Sequence, residues 1–192
     1  MKTIEIIGFK RANLTKSQLN TLRYSGNIPC ILYGNGQNIQ FHSPAALFKD
    51  LIYTPEARFV TLNIEGTVYK AIKQEVQSHP VNDMILHVDF LLLDESKEVS
   101  MDIPVKLTGT AAGVLKGGKL MQRLKYLKIK ALPKNMPESI QIDVTNLEVR
   151  NSVRVSDVKT ENFVILKSPA VPIAAVETTR AMKDAAAPAA TK

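Results

Sequence analysis

The apolar run Leu86-His-Val-Asp-Phe90 contains two polar residues at alternate positions, His87 and Asp89. Both side chains can form hydrogen bonds or coordinate a metal ion. Side chains of a strand point to its two faces in turn, so the apolar residues predict a core face and the imidazole and carboxylate share the other face. The two polar groups are then about 6–7 Å apart along the strand. Such a strand offers donors and acceptors to a polar partner.

Metal binding and catalysis are two alternatives for this pair. His79 would supply a third ligand, but Pro80 and the strand geometry do not bring the side chains together, and the sequence has no CxxC or HExxH pattern. No Ser-His-Asp, paired-carboxylate or Cys-His arrangement is readable, because the single cysteine, Cys30, lies in an apolar strand. We therefore expect a protein that is not an enzyme and has no cofactor, no metal and no small-molecule substrate.

The charge balance favours a polyanionic partner. The 192 residues include 25 Lys and Arg against 18 Asp and Glu, which gives a net charge of +7 and a pI near 9.5. Charge alone does not identify the polyanion. The sequence contains no run of about 18 apolar residues and no hydrophobic region of a secretory signal, and its lone cysteine fits a reducing compartment. We expect a cytoplasmic protein without a membrane partner.

Basic side chains gather near the N-terminus. Residues 1–10 alternate weakly and predict a strand, and Thr15-Lys-Ser-Gln18 has the capping-box pattern of a helix start, which predicts a short helix over residues 15–24. One face of this helix and the segment before it contain Arg11, Lys16, Asn20 and Arg23. This face is either an ordinary solvated helix surface or part of a binding surface.

The rest of the first half predicts short strands and turns. Residues 27–34 predict a strand, Asn35-Gly36 is a hairpin signal, and residues 59–77 predict a second hairpin. Ser43-Pro44 is typical of a helix start. Tyr33, at the end of the first of these strands, is either a stacking platform for a base or an ordinary half-buried aromatic residue.

The second half predicts a different set of strands. It follows a short charged segment at residues 94–98, and its alternating apolar residues are separated by Pro, Gly and Asn turns. Pro104 indicates an edge strand. The last residues are rich in Ala, Thr and Lys and predict disorder. The expected organisation is mainly β, with domains at residues 1–93 and 94–176 and a disordered tail at residues 177–192.

Two further patterns in this half could bind phosphate groups. Gly113-x-x-x-x-Gly118-Lys119 matches the start of a P-loop, but Leu120 stands where Ser or Thr must hold Mg²⁺, and a β-turn is the better interpretation. Residues 105–137 contain no Asp or Glu and form either a solvated sheet face or an electrostatic binding surface. The cations of this stretch are Lys106, Lys116, Lys119, Arg123, Lys125, Lys128, Lys130 and Lys134.

The order of these features resembles a known family. In the first half the matching residues are Arg11, Lys16, Leu22-Arg23, Gly26-x-Ile-Pro-x-x-x-Tyr33-Gly34, Val76-Gln77-x-His79-Pro80 and His87-x-Asp89-Phe90. In the second half they are Ile103-Pro-Val, Gly113-Val, Gly117-Gly118-x-Leu120, Ala131-Leu-Pro133, Pro137-Glu-x-Ile140, Asp143-Val, Leu147 and Val155-x-Asp157. The chain resembles the bacterial large-subunit ribosomal proteins that bind 5S ribosomal RNA, the general stress protein Ctc family, in its long two-domain form.

The resemblance implies a structural constituent of the large ribosomal subunit. It implies a small N-terminal β-barrel with short helices that binds 5S ribosomal RNA in the central protuberance, beside neighbouring ribosomal proteins, and a second β-rich domain. The RNA-binding residues that it implies are Arg11, Lys16, Arg23, Tyr33, Gln74, Gln77, His87 and Asp89. Asp89 would either contact RNA or orient a neighbouring side chain. The alternative function is that of a stress-linked RNA-binding protein acting off the ribosome.

The first helix departs from the family pattern. Family members commonly have Gly-Lys-Gly and a basic pair where this chain has Thr15-Lys16-Ser17 and Asn20-Thr21. Two cationic contacts are therefore missing. Each phosphate contact adds about 0.7–0.9 to the steepness of the plot of log affinity against log salt concentration, so we expect binding to be less sensitive to salt than in typical relatives.

Overall fold

The structure, a computed structural model, describes residues 1–12, 14–160 and 162–179. Within them the chain divides into two compact units. The first, here called the barrel unit, comprises residues 1–101 and 131–138, and the second unit comprises the other described residues. Strands dominate both units, which confirms the predicted mainly β fold. No helix in the described part of the chain has the length and hydrophobicity needed to cross a bilayer.

Six strands of the barrel unit close into a barrel in the lateral order β1-β3-β2-β6-β5-β4, as the resemblance implied. The strands are β1 Thr3–Lys10, β2 Asn27–Gly34, β3 Gln37–Pro44, β4 Phe59–Ile64, β5 Thr67–Ser78 and β6 Ile85–Leu92. Two short helices accompany them, α1 Lys16–Tyr24 and α2 Lys49–Ile52, the second preceded by a 3₁₀ turn at Ala45–Phe48. The pairings β1–β4 and β2–β6 are parallel and the other four are antiparallel.

Alternating side chains of these strands fill the barrel. The inward positions are apolar and fully or almost fully buried, because each strand turns every second residue to the closed interior. They include Ile6, Cys30, Leu32, Phe41, Leu62, Val88 and Phe90. Asn35 and Gly36 join β2 to β3 with φ values of 48° and 76°, the left-handed pair required by the tight hairpin turn that Asn-Gly predicts.

Gly34 permits the close approach of β2 to β6. Its φ is 146°, and a Cβ placed on it would lie 2.8 Å from the Cβ of Leu92. A side chain at this position would force the two strands apart near Tyr33, which pairs with Leu91. The glycine therefore contributes to the register that aligns β2 with β6.

The first helix starts as the sequence predicts. The Gln18 Oε1 atom accepts the backbone N–H of Thr15 at 2.9 Å and the Thr15 hydroxyl at 3.1 Å, which ties the residue before the helix to its first turn. Leu19 and Leu22 are half-buried, whereas the polar side chains of the first turn are exposed.

Helical structure begins directly after Ser43-Pro44, as predicted, with Phe48 and Leu51 buried, but the predicted capping role of Ser43 was wrong. Ser43 lies in β3, pairs with Ile28 of β2 and is fully buried, so it is a strand residue and not a helix cap. The 3₁₀ turn begins at Ala45, and no side chain caps it. Among the described residues, the Ser43 hydroxyl has no hydrogen-bond partner.

The second unit contains two small sheets. A four-stranded sheet has the order β10-β7-β9-β12 and a three-stranded sheet the order β11-β13-β8. Their strands are β7 Val99–Thr108, β8 Lys119–Gln122, β9 Tyr126–Ala131, β10 Ile140–Asp143, β11 Ser152–Arg154, β12 Val164–Ile165 and β13 Pro172–Glu177. A one-turn helix, α3 Ala112–Leu115, precedes β8. Strand β7 lies between β10 and β9, so the edge position predicted from Pro104 was wrong.

The glycine-rich segment and the predicted disordered tail both differ from their prediction at one end. Lys119 opens strand β8, so the glycine-rich segment is not followed by the helix that a P-loop requires. Glu177, the first residue of the predicted disordered tail, is the last residue of β13. The part of that predicted tail from residue 180 onward lies outside the described residues.

Candidate nucleic-acid interface

Strand β6 places His87 and Asp89 on the outer face of the barrel. Val88 and Phe90 are fully buried, so the intervening polar side chains point outward, as the alternation predicts. Across the ladder to β5, His87 pairs with Gln77 and Asp89 pairs with Glu75. The outer face of these two strands therefore brings together an imidazole, an amide and two carboxylates.

The imidazole and the carboxylate of β6 are in direct contact. The His87 Nδ1 atom lies 2.5 Å from Asp89 Oδ1, and the two side chains are only 17% and 27% exposed. Asp89 Oδ1 is buried and has no partner of hydrogen-bond geometry among the described residues, so the contact with His87 is a close approach of two polar groups. The contact places Asp89 where it can restrict the orientation of the His87 ring.

Arg23 is attached to the start of the same strand. Its Nε atom donates to the Leu86 carbonyl at 3.1 Å and its Nη1 atom donates to Asn20 Oδ1 at 3.1 Å. The last turn of α1 thereby holds a guanidinium beside the residue that precedes His87. Arg23 is half-buried, so it has a structural contact in addition to any role in binding.

Arg11 lies against the neighbouring strand β3. Its backbone N–H donates to the Gln40 carbonyl at 3.0 Å, and its Nε atom donates to the Phe41 carbonyl at 3.2 Å. Burial, with a smaller effect of the nearby charge of Arg23, lowers the pKa of Arg11, although a guanidinium stays protonated in proteins. Two cations therefore lie within electrostatic reach of each other, each with one N–H held by a backbone carbonyl.

Tyr33 is half-buried at the end of β2. Burial raises the pKa of its hydroxyl, and the charges of Asp89 and Glu75 raise it further, so Tyr33 lies near the carboxylates of the outer face. It is the neutral phenol at pH 7 and can both donate and accept hydrogen bonds.

The two remaining predicted RNA-binding residues, Gln74 and Lys16, lie outside the group formed by His87 and its neighbours. The register of β5 against β6 shifts between Lys73 and Glu75, so Gln74 is exposed at this irregularity without a matched position on β6. Lys16 is exposed in the first turn of α1 and forms no ion pair within the described part of the chain. The structure thus clusters Tyr33, Gln77, His87 and Asp89, with Arg11 and Arg23 as neighbouring cations, and leaves Lys16 and Gln74 outside this cluster.

Comparison with known proteins identifies the chain. A model of the Ribosomal L25p family matches residues 6–90, and a model of the C-terminal domain of ribosomal protein TL5 matches residues 98–180. The large ribosomal subunit protein bL25 of Cytophaga hutchinsonii is 50% identical over 192 residues, covering 100% of both chains. That of Amoebophilus asiaticus is 50% identical over 189 residues, covering 98% of this chain and 96% of its own length. This chain belongs to the bL25 family. Its relatives are named as ribosomal proteins, which confirms that the chain is not an enzyme.

One acidic residue of this bL25 surface was missed from the sequence. Glu75 lies in a strand with no obvious polar motif, and only its cross-strand register reveals that it faces Asp89. The irregularity at Gln74 sets this register, and the sequence contains no Gly or Pro there that would have signalled it.

The acid-free stretch of this bL25 chain is partly neutralised by carboxylates from other segments. Lys116 pairs with Glu148 at 3.3 Å in the second unit, and Arg123 pairs there with Glu177. Lys134 pairs with Glu95 at 3.0 Å in the barrel unit. The charge expected from the linear sequence is therefore larger than the charge that the folded surface presents.

Cys30 is a residue of the barrel core. It is fully buried, and burial raises the pKa of its thiol, so it is an inert core residue as expected. No group of three or more His, Cys, Asp or Glu side chains that could hold a metal is present in the residues that the structure describes.

Arg23→Ala is expected to destabilise the bL25 barrel as well as remove a cation. The change leaves the Leu86 carbonyl without its charged donor, so the free energy of unfolding in urea should fall by about 1–2 kcal/mol. Lys16→Ala on the same helix is the control and should change it by less than about 0.5 kcal/mol. Equal stability of the two variants would show that the contact of Arg23 contributes nothing to folding.

Proposed function

We propose that this chain is a structural constituent of the large ribosomal subunit that binds 5S ribosomal RNA in the central protuberance. Membership of the bL25 family supports assembly into the large subunit, and the outer face of β6 with its two neighbouring guanidinium groups supports RNA as the partner. The protein is cytoplasmic and ribosome-bound in this proposal. Residues 1–93 form the RNA-binding domain and residues 94–176 the second domain.

The cations supply the attraction to phosphates. Arg11 donates one N–H to a backbone carbonyl, and Arg23 donates one to a backbone carbonyl and one to Asn20. The other N–H groups of each guanidinium can bond phosphate oxygens in a fixed position. Holding a side chain before binding reduces the entropy lost when the complex forms. Lys16, which is exposed, adds a further phosphate contact without such a constraint.

The outer face of β5 and β6 reads the polar edges of the RNA. Asp89 and Glu75 disfavour a phosphate at this point, so the cluster suits groups that donate hydrogen bonds, namely base amino groups and 2′-hydroxyls. The wide, shallow minor groove of an A-form helix exposes these groups. Nε2 of His87, the Gln77 amide and the Tyr33 hydroxyl supply the contacts, with Gln74 at their edge.

The role of Asp89 follows from its contact with His87. Asp89 lies 2.5 Å from His87 Nδ1 and restricts the positions that the ring can take, so in this proposal Asp89 is a positioning residue whose effect on binding passes through His87. This assignment makes the two side chains a single functional unit.

Sedimentation tests assignment to the ribosome. The chain should migrate with large subunits through sucrose gradients that contain high salt, because a constituent of the subunit is held by many contacts. Its absence from the large-subunit peak, with RNA binding retained, would favour a stress-linked RNA-binding protein that acts off the ribosome.

Lys16→Ala should weaken binding to isolated 5S ribosomal RNA and reduce the salt dependence. Loss of one phosphate contact lowers the slope of log affinity against log salt by about 0.7–0.9. Fluorescence anisotropy titrations at several KCl concentrations measure both quantities. Lys49→Ala, an exposed lysine of α2, is the matched control and should change neither the affinity nor the slope. A loss of the same size in both variants would contradict a specific phosphate contact at Lys16.

A double-mutant cycle tests the coupling of Asp89 to His87. Asp89→Ala should weaken 5S ribosomal RNA binding in the natural chain but have little further effect when combined with His87→Ala. The same anisotropy titration measures all four proteins, and circular dichroism melts report their folding. Fully additive losses would show instead that Asp89 contacts RNA independently.

A further inference from the structure

Phe9 is an exposed aromatic residue on the outer face of β1. Its side chain is 50% exposed, although the other five phenylalanines are buried or half-buried. Exposure of one large apolar side chain is common on protein surfaces and carries no inference alone. The surroundings of Phe9 make this one informative.

A second ring lies beside Phe9. His42 is its partner on β3, and the two ring centroids are 5.7 Å apart with planes inclined by 32°. Burial, with a smaller effect of the charge on Arg11, lowers the pKa of His42, so the imidazole is neutral at pH 7. Phe9 and His42 together form an uncharged aromatic surface, here called the aromatic shelf.

The aromatic shelf lies beside Arg11, one of the cations of the proposed RNA-binding face. Arg11 follows the last residue of β1 and continues its pairing with β3 through a hydrogen bond from its backbone N–H to the Gln40 carbonyl, so it lies two residues from Phe9 along the same edge. His42 pairs with Pro29 of β2, which is buried, and the pairing of Cys30 with Val88 places Pro29 level with His87. Two strand spacings therefore separate His42 from His87, a distance of about 10 Å.

We propose that the aromatic shelf stacks an unpaired base of the bound RNA, next to a phosphate held by Arg11. The inference rests on the proposed function, because it adds one RNA contact beside Arg11. A nucleotide combines a negative phosphate with a flat apolar base, and the neighbouring Arg11 and the aromatic shelf match these two parts.

Substitutions of Phe9 separate stacking from general hydrophobic contact. Phe9→Ala should weaken binding to 5S ribosomal RNA by roughly 5- to 100-fold without changing the salt slope, because a base contact releases no counterions. Phe9→Leu should lose most of the same affinity, whereas Phe9→Tyr should retain it. Ile7→Ala is the matched control, since Ile7 is 51% exposed on the same face of β1 but has no ring to stack.

The outcomes distinguish the aromatic shelf from the wider proposal. Full affinity of Phe9→Ala, together with weakened binding of Lys16→Ala, would overturn stacking and leave the RNA-binding face intact. Equal losses for Phe9→Ala and Ile7→Ala, or full affinity of Phe9→Leu, would also overturn it. Unchanged affinity of every variant, including Lys16→Ala and His87→Ala, would overturn the proposed function itself. Circular dichroism melts of each variant confirm that the comparison is made between folded proteins.

Discussion

Burial of Val88 and Phe90 inside a closed barrel is the constraint on which the surface of this protein depends. Strand β6 lies between β2 and β5, and its apolar residues can enter the core in only one of the two possible alternations. A shift of one residue would bury His87 and Asp89 and expose the core residues. The hydrophobic effect therefore decides which polar side chains lie on the outer surface of the barrel. The polar side chains determine only the distances and partners within that surface.

Arg11 and Arg23 are positioned by the backbone rather than by acidic partners. Each donates to a strand carbonyl, whereas other cations of the barrel unit, such as Lys10 and Arg58, are paired with carboxylates. A carbonyl fixes a guanidinium without cancelling its charge, so these two arginines keep their attraction for anions at a defined place. A basic composition alone would not have distinguished them from the paired cations.

Local sequence patterns correctly predicted the structural features that depend only on residues close together in the chain. The alternation around His87, the turn at Asn35-Gly36 and the contact of Gln18 with Thr15 all arise within a few residues. Features decided by distant segments were not predictable. Ser43 looked like a helix cap because its pairing with Ile28 is not visible in the sequence, and Glu75 was missed because an irregular ladder sets its position.

The parallel pairings of the barrel affect the order in which it can fold during synthesis. β1 pairs with β4, and β2 pairs with β6, so the first strands emerge from the ribosome long before their partners exist. At a synthesis rate of about 5–20 residues per second, Leu86, whose carbonyl accepts from Arg23, is added several seconds after Arg23. Closing such long loops before any contact is gained makes folding slow. A nascent chain therefore carries its cations early but gains the arrangement that could discriminate between RNAs only after β6 has been made.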